Sequence, residues 1–166
     1  MEGDEFMSAD CMVVLRKAHE VGGLKNNITV LAEGAGYGIC YDPRNALLCF
    51  KQVVLEDGDF CFAPTDSSDT TNVDLLISHE NHYVNGQCAR LSLRERLLFI
   101  QELARNCLYF AESVEVYISE DNPFLPEYAV YKVPCDRFVE VVISEYIPYA
   151  TTSHMIPSVA VHISGQ

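Results

Sequence analysis

The segment Ser92 to Cys107 does most to constrain the fold. Ser92-Leu93-Arg94-Glu95 has the form of a capping box, in which the serine hydroxyl and the glutamate carboxylate satisfy free backbone donors at a helix start. Leu93, Leu97, Ile100, Ala104 and Cys107 then recur at steps of four, three, four and three, which gives one apolar stripe. Arg94, Gln101, Glu102 and Arg105 are expected on the wetter side. Such a stripe needs an apolar surface to cover, and the rest of the chain offers β-rich runs. Val114, Val116 and Ile118 alternate with Glu115 and Tyr117, the period-two pattern of a half-buried strand. Val73 to Ser78, Tyr128 to Val133 and Ser158 to Ser164 read as further strands, the last with Val159, Val161 and Ile163 on one face.

The N-terminal half reads similarly. Ser8 to Val21 is expected as a first helix, capped by Ser8 or Asp10, with Cys11, Leu15 and Ala18 at helical spacing and Gly22-Gly23 as its stop. Ile28 to Ala32 and Tyr37 to Tyr41 follow as short strands, with Gly34 and Gly36 permitting a turn or bulge between them. Ala46 to Leu55 is a long apolar strand that Glu56-Asp57-Gly58-Asp59 turns back into Phe60 to Phe62, and a polar loop runs from Pro64 to Asn72. Phe138 to Ile147 admits two readings. A helix gathers Phe138, Val141, Val142 and Tyr146, but Val139, Val141 and Ile143 alternate and are β-branched, so a strand is expected. The fold class is therefore α+β: a single domain, 1–166, with a largely antiparallel sheet and two main helices packed on it. Each half is a helix followed by strands, an order that admits a duplicated α-β-β-β unit with halves 8–78 and 91–163.

Composition narrows the function. The 166 residues are 49% hydrophobic, enough to bury a core. No apolar run approaches the roughly 18–20 residues of a membrane span, and Met1 to Glu5 is acidic where a secretory signal is basic. The seven cysteines (Cys11, Cys40, Cys49, Cys61, Cys88, Cys107 and Cys135) are odd in number, widely spaced and set in apolar surroundings, as expected of reduced packing residues in a cytoplasmic protein. Net charge is −13, from 24 acids against 11 bases, which disfavours nucleic-acid phosphates and anionic membranes as partners. From Gln52 to Ala89 there is no Lys or Arg, while Glu56, Asp57, Asp59, Asp66, Asp69, Asp74 and Glu80 all fall there. Such a stretch is either a solvated face or a docking surface for a basic partner. Tyrosines of the last third, Tyr117 and Tyr131 among them, suit a protein interface as well as strand packing.

Catalytic patterns are weaker. Gly34-Ala35-Gly36-Tyr37-Gly38 resembles a dinucleotide-binding loop, but that loop needs a helix next and here a strand and a turn follow. His79, His82 and Cys88 carry zinc-ligating groups, with Glu80 as a candidate base. Their histidines stand at i and i+3 rather than at i and i+4 on a helix, and Asn85-Gly86 marks a tight turn. No Gly-x-Ser-x-Gly elbow occurs. The expectation is a non-enzymatic acidic protein-binding module: an inhibitor, immunity or regulatory protein without cofactor or metal. It would dock a basic partner, itself of the nucleic-acid-binding kind, through Glu56, Asp57, Asp59, Asp66, Asp69, Asp74, Tyr117 and Tyr131. The alternatives are a metal-assisted hydrolase on His79, His82 and Cys88, and a structural subunit of a homo-oligomer paired through strands such as Ala46 to Leu55.

Overall fold

Cys11 to Leu15 is an unbroken apolar run with two adjacent β-branched residues, and every one of its side chains is enclosed. A helix would have to bury its whole circumference to hide them, whereas a central strand covered on both faces does so at once. In the structure, a computed structural model that describes residues 10–43, 50, 52–65, 83–84, 87–88, 93–119, 128–146 and 158–165, this run is strand β1, Asp10–Arg16. The helix expected over Ser8 to Val21 is therefore replaced by a strand. The true first helix, α1, spans Val21–Ala35, including both glycines expected to stop it and the run Ile28 to Ala32 expected as a strand. Its buried stripe is Leu24, Ile28 and Ala32, at steps of four. Gly36 ends it in the left-handed region (φ 85°), and the amide of Tyr37 closes the last turn on the Ala32 carbonyl at 2.7 Å.

Strand β2 (Gly38–Tyr41) follows, then β3 (Phe60–Thr65), which extends the expected strand through Pro64. The proline fits because pairing to β1 ends at Val13 with Phe62, while Pro64 sits opposite Ile39 of β2. Strand β4 (Tyr83–Val84) pairs antiparallel with β5 (Gln87–Cys88), and the tight turn expected at Asn85-Gly86 lies outside the described residues. Helix α2 spans Leu93–Cys107 and buries Leu97, Ile100, Ala104 and Cys107 as expected. Gln101 departs from the expectation. It is buried, and its Oε1 accepts the amide of Val139 at 3.3 Å. Ser92, the first half of the capping box, and the strand expected over Val73 to Ser78 lie outside the described residues.

Strands β6 (Ser113–Ser119) and β7 (Tyr128–Pro134) come next, and then a 3-10 turn (Cys135–Arg137), helix α3 (Phe138–Val141) and a π-helical turn (Val142–Tyr146). The strand expected over Phe138 to Ile147 is thus helical in its described part. Winding puts Phe138, Val139 and Val142 into the core and leaves Glu140, Ser144 and Glu145 in water. A chain-level reason supports it: β7 pairs in parallel with β8 (Ser158–Ser164), and parallel neighbours need a crossover. The six-stranded sheet has the order β2-β3-β1-β6-β8-β7, and every pairing but β7 with β8 is antiparallel. This is an α+β fold with a third helix and one parallel pair beyond the expected plan. The chain order also departs from a repeated α-β-β-β unit, because β1 precedes α1 and α3 separates β7 from β8.

The sheet has a core on each face. The helices cover Cys11, Val13, Leu15, Val114, Val116, Ile118, Val159, Val161 and Ile163. On the other face Met12, Val14, Cys61, Ala63, Tyr117 and Ala160 pack with Phe50 and Val53. Phe50 and residues 52–55, the described part of the expected strand Ala46 to Leu55, are irregular and lie on that second face. Glu115 and Tyr117 are therefore buried, where simple alternation would leave them wet. Among the described residues no helix is long and apolar enough to cross a membrane.

Candidate functional site

On the second face, at the end of β1, Arg16 leaves the apolar run diagonally across from Glu115 of β6 (Val14 is Glu115's direct partner). The guanidinium grips that carboxylate with two parallel bonds, Nε to Oε2 and Nη2 to Oε1, both 3.0 Å. Its Nη1 donates to the Val54 carbonyl and to Asp59 Oδ2, each at 2.8 Å. Asp59 also accepts the amides of Lys17 at 3.0 Å and Glu56 at 2.9 Å. The Tyr117 hydroxyl donates to Glu115 Oε1 at 2.6 Å, and its ring meets Tyr128 edge-on with centroids 4.9 Å apart. One guanidinium thus ties together β1, the irregular segment after Phe50, the turn before β3, and β6.

These contacts set the charges. Burial pushes the Asp59 carboxyl up, but the Glu56 and Lys17 amides and Arg16 outweigh it, and the group titrates below its ordinary range. Glu115 follows the same balance: burial opposes its charge, and Arg16 with the Tyr117 hydroxyl more than restores it. Tyr117 is pushed up to about 12, by burial first and then by its bond to the Glu115 carboxylate. All three groups hold their ordinary charge at neutral pH.

Beside this network lies a cleft of about 370 Å³, with Arg16 and Asp59 in its floor and Gln52, Val54, Glu56, Asp57 and Tyr128 among its walls. Of the residues expected at a partner surface, Glu56 and Asp57 are exposed at this cleft. Asp59 lines it too, but its side chain is only 4% exposed and its carboxylate is enclosed by the Arg16 guanidinium, the Lys17 amide and, from its own turn, the Glu56 amide. Tyr117 reaches the cleft as a buried wall with its hydroxyl already committed to Glu115. Both therefore hold the network together, and Glu56 and Asp57 are the acids left exposed beside them. Tyr131 is half-buried on β7 and packs against the helical core, away from the cleft. Asp66, Asp69, Asp74, His79 and His82 lie outside the described residues, as does the side chain of Cys88.

Sequence reasoning missed Arg16 and Glu115. Glu115 carried a faint signal, as an acid inside an apolar strand, and Arg16 another, as a base ending one. Their pairing across 99 positions carries none. The described cysteines Cys11, Cys40, Cys61, Cys107 and Cys135 are buried and in no disulfide. Burial raises their thiols where a shift is resolved, Cys107 to about 12, which suppresses thiolate chemistry. Compared with known proteins, the chain matches no family model, no curated protein and no solved structure.

Proposed function

We propose that this chain is a non-enzymatic protein-binding module, of the inhibitor, immunity or regulatory kind, that docks a basic protein through the turn Glu56 to Asp59. One observation carries the reading. The turn is held by Asp59 through three hydrogen bonds and by Arg16 to the sheet, while Glu56, Asp57 and the 70%-exposed Val54 project from it. Carboxylates held in place beforehand lose little freedom when a cation meets them, so more of the contact energy reaches affinity. The exposed apolar Val54 beside them offers the dry contact that a purely solvated face lacks. Net charge of −13 adds attraction at long range.

The test uses the double variant Glu56→Lys, Asp57→Lys. A partner is captured from host lysate, identified, and its binding followed by rapid mixing at low and physiological salt. The association rate is expected to fall about tenfold or more at low salt with a smaller change in dissociation, because exposed charges act mainly on encounter. The thermal midpoint should not move, since neither acid is buried. A wild-type association rate in the double variant at low salt refutes the reading.

A further inference from the structure

The two outer strands of the six-stranded sheet, β2 and β7, are not alike. Strand β2 has four residues, of which Ile39 and Cys40 are 4% and 9% exposed, so its edge is closed. Strand β7 has seven, of which Ala129, Val130, Lys132 and Pro134 are exposed, Val130 by 53%. Pairing fixes which of its backbone groups point outward. The Asp42 amide bonds the Cys61 carbonyl at 3.2 Å, so Cys61 turns its main chain toward β2 and Phe62 toward β1. The alternation runs through Val13 opposite Phe62, Met12 opposite Tyr117, Val116 opposite Val161 and Ala160 opposite Val130. It leaves Ala160 bonding to Ala129 and Tyr131, as a parallel ladder requires. Tyr128, Val130, Lys132 and Pro134 therefore turn their main chain away from β8, the proline offering a carbonyl alone. Pro134 thus sits where no ladder bond is lost.

We propose that the β7 edge receives an extended, acid-bearing segment of another protein as an added strand. Tyr128, Val130 and Lys132 each offer an outward N–H and C=O, about six bonds for an antiparallel segment. Main-chain bonds of this kind supply the affinity when a peptide joins a sheet edge, and side chains supply the choice. Val130 and Lys132 lie on the second face with Ala160 and His162, and Lys132 has no ion pair among the described residues. A carboxylate directly opposite Lys132 gains one, whereas a lysine there is repelled. The fitting strand thus carries Asp or Glu opposite Lys132 and an apolar residue two positions on, opposite Val130. A second copy of this chain does not meet that need. Paired antiparallel with its own kind, β7 sets Lys132 against Tyr128, Val130 or Lys132 in the registers centred on Val130, Tyr131 and Lys132, and the strand holds no acid. Strand β2 holds none either. Only Tyr128 is shared with the cleft beside the turn Glu56 to Asp59, and pairing at the edge does not require that turn to dock anything.

The probe is a blocked peptide of about seven residues, in which threonine alternates with glutamate, valine and valine in that order. A second peptide carries lysine in place of the glutamate. Both are titrated against the full chain at physiological salt, which screens its net charge of −13 beyond about 8 Å, and binding is read by amide chemical shifts. The glutamate peptide should shift the outward amides of Tyr128, Val130 and Lys132 more than those of Ala129, Tyr131 and Val133, which serve β8. The lysine peptide should bind at least about threefold more weakly. Lys132→Glu should reverse that order, an exchange that no loss of fold produces. Methylating the peptide nitrogen of the central valine, which faces β7, should abolish binding. Methylating that of the threonine before it, which faces away, should change binding by no more than about twofold. Val130→Pro removes an outward N–H and no bond to β8, and should weaken binding at least about threefold. If neither peptide binds at millimolar concentration, Lys132 and Pro134 only guard the edge against pairing, and the proposal is overturned. Equal binding of the two peptides to the wild type, or indifference to where the methyl group sits, overturns it too. If the chain sediments as a dimer that Val130→Pro dissociates, the occupant is a second copy and the proposal fails.

Discussion

Arg16 and Arg105 each reach two carboxylates, on opposite sides of the sheet. Arg16 meets Glu115 and Asp59, whose side chains are almost wholly enclosed, through paired bonds of 3.0 Å and one of 2.8 Å. Arg105 meets Glu102 at 3.3 Å and Asp136 at 2.9 Å, and Asp136 is 76% exposed. The residue types match and the surroundings do not. Around the Glu115 and Asp59 carboxylates there is little water to replace a lost cation, so the network holds together as a unit. Around Arg105 water stands ready to solvate whatever is released, and the pairs are worth little. Where a charge sits therefore matters more than how many partners it has, and the acidic turn of the candidate site is anchored by the stronger of the two arrangements.

Removing each arginine is the sharpest way to break the comparison. Arg16→Ala strands Glu115 and Asp59 without their cation and should cost about 3 kcal/mol, the low end for a broken buried pair because Arg16 is partly solvated. Denaturant titration measures it, and the same variant should loosen the turn that we propose as a docking surface. A midpoint shift no larger than that of Arg105→Ala would show that burial does not separate the two sites.

Tyr117→Phe should come next, at about 1.5 kcal/mol, for a hydrogen bond to an ionised acceptor. It also carries a pH signature. A tyrosine whose folded value is raised from 10 to about 12 adds stability that is complete below the unfolded value and lost as pH climbs toward the folded one. The wild type should thus lose stability between those values, and the phenylalanine variant should lose less, as read by thermal midpoints across an alkaline series.

The acid limb sharpens the same contrast. Asp59 and Glu115 titrate below their ordinary values of 3.8 and 4.5, so their contribution is present above those values and is lost as pH falls through the lowered ones. Glu115→Gln should start less stable at neutral pH and then lose less stability than the wild type on acidification. Equal acid losses in the two proteins would mean that Glu115 is not held charged by Arg16. The smallest effect is expected of Arg105→Ala, under about 1 kcal/mol and fading with added salt.

Some of this was open to reading along the chain. Helix α2, the strand Ser113–Ser119 and the strand Ser158–Ser164 follow from residue spacing alone, because each repeats its apolar positions at the period of its own backbone. The turn at Glu56 to Asp59 is local chemistry as well, with Gly58 at φ 90°. The errors fell where a segment's pattern suits two conformations. Cys11 to Leu15 has apolar residues enough for a helix or a central strand, and Val21 to Ala35 carries a helical stripe interrupted by glycines that local rules read as stops. Phe138 to Val142 alternates like a strand yet winds, since a parallel crossover is needed between β7 and β8. Whether Glu115 and Tyr117 meet water or a second core was likewise undecidable from alternation, which gives the side of the sheet but not what covers it. The sequence alone determined the charge, the turn that displays Glu56 and Asp57, and the main helix. Tertiary structure decided that Asp59 and Tyr117 are fastenings, because only packing brings Arg16 and Glu115, far apart in the chain, to the same end of one strand pair.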